Sequence, residues 1–189
     1  MKSIKVPAIF QELFGKTITL LDLWLTLFFS LVMTTLILVV TYSEWQSLAI
    51  WQALILIVLT IDITGGAVAN FSSSTNLFYK ENAKARVTFI IIHIQPVLIA
   101  WLFGAHYVMC LAVWAYTIVS AFIVNAIIAH PCQRIIGAGL TVFGIGLTLL
   151  LTMDQPTIIL VILIIYMFKV IYGFSVDHEK NQKQSGDTF

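Results

Sequence analysis

Six apolar runs, each long enough to cross a bilayer, constrain this chain more than any motif in it. They fall at residues 20–42, 48–70, 87–103, 107–129, 135–153 and 157–176 and are 17 to 23 residues long. A helix rising 1.5 Å per residue needs about 20 mostly apolar residues to span the hydrocarbon core, where it satisfies its backbone groups internally. The expected fold is therefore an all-α polytopic membrane protein, a bundle of about six transmembrane helices. Composition agrees, with 60% hydrophobic and 10% charged residues, against about 45–50% and about 25% in a soluble domain. A water-soluble globule is excluded, and six spans in 189 residues leave no room for a separate soluble domain. Ten Lys and Arg against nine Asp and Glu give no basic face for nucleic acid.

The cations set an expected orientation. Lys2, Lys5 and Lys16 precede the first run, and Lys80, Lys84 and Arg86 occupy the second loop. Arg134 lies in the fourth loop, and Lys180 and Lys183 in the tail. The intervening loops, 43–47, 104–106 and 154–156, contain no Lys or Arg. This alternation predicts a multi-pass cell-membrane protein with both termini cytoplasmic. The chain then divides into a cytoplasmic or interfacial segment at 1–19, a transmembrane domain at 20–176 and a mobile tail at 177–189. Within the first segment Ile9, Phe10, Leu13 and Phe14 recur at helical spacing, with Pro7 placed to open a helix and Gly15 to close it. That predicts a short helix on the inner membrane surface. No small-residue cleavage site follows the first run, which argues against a removable signal peptide. Cys110 and Cys132, roughly 33 Å apart along one helix, are beyond disulfide reach and read as buried small hydrophobes.

The informative residues are the polar ones inside the runs. Asp62 lies about 12 Å from the cytoplasmic end of the second span, and His93, Asn125 and Lys169 fall at similar depth on the third, fourth and sixth. A charge near a helix centre costs about 2.5–3.5 kcal/mol on insertion scales, so such residues pair or face a wet cavity. The four are expected to face inward, Asp62 against Lys169, with His93 in direct or one-water reach of Asp62. On a helix Asp62, Gly66, Asn70 and Ser73 share a face, and Gly65-Gly66 allow local unwinding or the close approach of another group. In His93-Ile94-Gln95-Pro96 the proline frees a backbone carbonyl that a neighbour must satisfy. Gly137, Thr141, Gly144 and Thr148 form a small-residue stripe suited to close helix packing.

These residues point to a small solute or a proton handled, by transport or binding, at a polar site in the cytoplasmic half of the bundle. The candidate ligand-binding residues are Asp62, Asn70, Ser73, His93, Gln95, Asn125 and Lys169. One alternative is an enzyme acting on a lipid head group, with His93 as general base oriented by Asp62. Another is an accessory subunit in which the polar layer only fixes helix register. Expected partners are the bilayer and a small polar solute or anionic lipid head group. No cofactor is expected: metal-ligand signatures such as HExxH are missing, as are the nucleotide-binding fingerprints.

Overall fold

A computed structural model of the chain describes residues 3–152 and 154–178. Six helical spans long and apolar enough to cross a membrane make up most of it. The first is α2, Leu20–Val40, started by the Thr19 hydroxyl, which accepts from the Asp22 amide at 3.1 Å. A short α3, Tyr42–Trp45, leads to the second span, α4, Ile50–Ala69. A surface helix, α5, Ser73–Glu81, precedes the third span. That span is broken into α6, Ala83–Ile92, and α7, Gln95–Phe103. It begins four residues earlier than the hydropathy suggests, because Ala83 to Arg86 are helical although two of them, Lys84 and Arg86, are charged. The fourth and fifth spans are α8, Tyr107–Ala126, and α9, Gln133–Leu151. The sixth is α10, Thr157–Met167, continuing into a π-helix at Phe168–Phe174.

The sixth span forms the axis of the bundle. Ile158, Ile159, Ile162, Leu163, Tyr166, Met167, Val170 and Ile171 are all within 1% of complete burial, while α2 and α9 at the rim keep most of their surface exposed. Rim helices are held by small side chains, as lipid offers no hydrophobic drive for association. Apart from Gln133, the buried residues of α9 are those of the expected stripe, Gly137, Thr141, Gly144 and Thr148. A Cβ on Gly144 would lie 2.4 Å from Tyr116 Cε1, and one on Gly137 2.7 Å from Val176 Cγ2. On α2 the seam is hydroxylated. Thr26, Ser30 and Thr34 are buried one turn apart, and Ser30 and Thr34 Oγ atoms lie 3.3 and 2.9 Å from Thr64 Oγ1 on α4.

The N-terminal segment is more than the single surface helix expected. Strand β1, Ser3–Lys5, pairs antiparallel with β2, Thr17–Thr19. Between them lie a 3-10 turn, Ala8–Phe10, and the four-residue α1, Gln11–Phe14, bounded by Pro7 and Gly15. The segment does not float: it is clamped onto α5. Thr75 Oγ1 donates to the Leu13 carbonyl and Tyr79 Oη to that of Glu12, both at 2.9 Å. Lys16 pairs with Glu81 at 2.7 Å. Gly15 takes φ +71°, and a Cβ there would stand 2.3 Å from the Ser74 carbonyl oxygen, so this close approach requires glycine.

The C-terminal end is also tied down. Asp177, read above as the start of a mobile tail, is buried and pairs with Lys80 at 2.9 Å. Arg86 Nη2 and Gln133 Nε2 both donate to the Ser175 carbonyl, at 2.7 and 3.0 Å. Residues 179–189 lie outside the described residues. Cys132 is exposed, contrary to the buried reading, because it sits in the turn before α9; Cys110 is buried.

Candidate functional site

The site begins with two local consequences of sequence. Proline at 96 has no amide proton, so the helix cannot run on through Ile92. The chain bends at His93 and Ile94, where ψ is 67° and 14°. The ring of His93 then replaces a lost backbone bond, its Nδ1 hydrogen-bonding the Phe89 carbonyl. That oxygen can only accept, so Nδ1 carries the proton and Nε2 is the acceptor nitrogen. The His93 carbonyl, with its helical partner gone, takes a 2.7 Å hydrogen bond from Tyr166 Oη on the central helix. Broken backbone at membrane depth is tolerated where protein or a cavity serves the freed groups, and here protein does so.

The second consequence is the passage of Lys169. A Cβ on Gly66 would lie 2.3 Å from Lys169 Cε and 2.8 Å from its Nζ, so any larger residue would force the lysine to shift where it crosses α4. The Gly65-Gly66 pair serves close approach and not unwinding, since α4 stays helical through Ala69. Lys169 is 1% exposed and does not reach for the membrane surface. Its Nζ donates to Asp62 twice, to Oδ2 at 3.0 Å and to the backbone carbonyl at 3.1 Å. Gln95 Nε2 donates to the same Oδ2 at 2.9 Å, and Asn70 Nδ2 to the Lys169 carbonyl at 3.2 Å.

These groups wall a cavity of about 340 Å³, within the usual range for ligand pockets. Asp62, Asn70, His93, Gln95 and Lys169 line it, together with Gly66, Ala69, Phe89 and Ile92. Ile9, Glu12 and Leu13 of the N-terminal segment, with Tyr79 of α5, form a roof. Burial, and then the Glu12 carboxylate, push the Tyr79 phenol up, so it stays protonated as the donor holding that roof. On the opposite side the packing is apolar and closed, through Leu56, Ile63, Ile99 and Ile162.

One atom in this wall lacks a partner. Gln95 is 9% exposed and its Oε1 accepts no hydrogen bond. The amide cannot be turned to relieve this, because the Asp62 carboxylate has no proton to give and must face the amide nitrogen. A buried carbonyl left without a donor costs about 1–3 kcal/mol.

Five of the seven residues singled out from the sequence therefore meet. Ser73 does not: the helix ends at Ala69, so the shared face is interrupted, and Ser73 is exposed as the first residue of α5. Asn125 does not either; its Oδ1 accepts from Arg86 Nε in a separate cluster below α8. The direct contact of His93 with Asp62 is also not formed, as Gln95 takes that position. Tyr166 and Tyr79 are residues the sequence reading passed over as site members. Tyr166 carried a signal, three residues before Lys169 and hence on its face; Tyr79 carried none, being joined to the site only through the folded N-terminal segment. Among the described residues no three His, Cys, Asp or Glu side chains gather to hold a metal ion.

No family model, curated protein or solved structure matches the chain.

Proposed function

We propose that this chain is a cell-membrane protein that binds a small polar solute in the cytoplasmic half of the bundle, with both termini in the cytoplasm. The carrying observation is a cavity of about 340 Å³ that presents Asp62, His93, Gln95 and Lys169 together. A polar layer serving only helix register has no use for a 340 Å³ space beside its charged pair. The acceptors favour a ligand rich in hydrogen-bond donors. Lys169 balances the Asp62 charge, so the ligand need not be cationic. The orientation is supported by the alternation of Lys and Arg among the loops. The apolar seal opposite the roof favours binding from the cytoplasmic half, with transport requiring a rearrangement of the spans around the sixth. The lipid-enzyme reading is less well supported, because Asp62 does not orient His93.

The test is thermal unfolding of the purified protein with ethanolamine, glycerol and inorganic phosphate as probes. Ethanolamine or glycerol should raise the midpoint of the wild type, and neither should act on Gln95→Leu. A shift with phosphate alone, or equal shifts in wild type and Gln95→Leu, would overturn the proposal. So would no shift with any probe combined with full complementation of a deletion phenotype by Gln95→Leu.

A further inference from the structure

A second cavity, of about 250 Å³, lies beside the first, in the groove between α2 and α4. Leu27, Ser30, Val58 and Ile61 line it, and Leu13 and Phe14 of the N-terminal segment close its upper end. The two spaces share Asp62, Gly66, Ala69 and Leu13. Leu27 and Val58 are 40% and 64% exposed on the outer surface of the bundle, so the groove opens sideways, toward lipid. Asp62, whose side chain is 37% exposed, lines both spaces.

α1 roofs the polar cavity on the membrane-surface side, and the fully buried core closes it on the opposite side. The groove beside it opens laterally, and the lining changes from polar to apolar across the α4 residues that the two spaces share. Such a surface matches a molecule that is itself polar at one end and hydrocarbon at the other. We propose that the two spaces form one site for an amphiphile drawn from the surrounding leaflet. Its head group carries ammonium or hydroxyl donors and lies against Asp62 and His93; its chain lies along the groove between α2 and α4. The inference rests on the polar cavity being a ligand site, as proposed above, and adds the class of ligand. The donor requirement follows from the wall: the Asp62 carboxylate and His93 Nε2 are acceptors.

The experiment uses the full chain in nanodiscs of phosphatidylcholine, whose head group has no N–H or O–H donor. The probe is a single-chain alkylamine with a photoactivatable diazirine in its chain. A probe with the same chain ending in a methyl ester, and ethanolamine without a chain, are the controls. The alkylamine should label peptides containing Leu27, Val58 and Ile61 saturably, and unlabelled alkylamine should compete. The ester should label only diffusely. Val58→Trp, at a lipid-facing position the fold tolerates, should abolish saturable labelling while leaving the thermal shift with ethanolamine intact. Gln95→Leu should abolish both. Equal labelling by amine and ester, or labelling unaffected by Val58→Trp, would overturn the amphiphile inference. If ethanolamine still stabilises the wild type in those cases, the polar-site reading stands without it; if ethanolamine does not, both fall.

Discussion

Removing the partners of the Asp62–Lys169 pair one at a time should cost the bundle unequal amounts. Lys169 is 1% exposed, and both hydrogen bonds of its Nζ go to Asp62. Asp62→Asn keeps the backbone acceptor but strands the ammonium without a counter-charge, and breaking one partner of a buried pair costs about 3–5 kcal/mol. Lys169→Met preserves most of the side-chain volume and leaves the carboxylate. That carboxylate is 37% exposed, borders the 340 Å³ cavity and keeps the Gln95 amide. Screening in the cavity then limits the loss to about 1–3 kcal/mol. The expected difference is about 2 kcal/mol against Asp62→Asn. With both replaced, the cost should fall to nearly nothing, so the coupling in the double-mutant cycle approaches the sum of the two single costs, about 4–8 kcal/mol. Reversible unfolding in mixed micelles measures all four proteins. An Asp62→Asn variant no less stable than Lys169→Met, or single effects that add, would refute the burial argument. The double variant, stable but without the ethanolamine or glycerol shift, would further separate scaffold from site.

Three other outcomes follow from particular contacts. Gly66→Ala, whose Cβ would stand 2.3 Å from Lys169 Cε, should destabilise the protein by about 2–4 kcal/mol after the helix-propensity gain. Gly146→Ala, with nothing within 4 Å, should be neutral or stabilising by up to about 1 kcal/mol in the same unfolding assay. Tyr166→Phe strands the buried His93 carbonyl and should cost about 1–3 kcal/mol, read by the shift in unfolding midpoint. For topology, in a Cys132→Ser background, cysteine at Lys84 should be reached by an impermeant thiol reagent only from the cytoplasmic side and cysteine at Asp154 only from outside. The reverse pattern would overturn the orientation.

Much of this architecture is written along the chain. Span number follows from runs of contiguous apolar residues, and the depth of Asp62, His93, Asn125 and Lys169 follows from a constant rise per residue. The break at His93 follows from Pro96, and the buried stripe of α9 from Gly137, Thr141, Gly144 and Thr148. All of these are local or periodic properties, which a one-dimensional reading carries. Which of the residues at one depth meet is another matter. Asn125 shares the layer, yet it turns toward Arg86, while Gln95 occupies the place beside Asp62 expected of His93. Ser73 left the shared face because α4 stopped at Ala69, and Tyr79 joined the site only when α1 folded back onto α5. Azimuth around each helix, and hence partnership, depends on how all six spans pack at once around the buried sixth. Depth is counted from one helix, whereas a contact is decided by two.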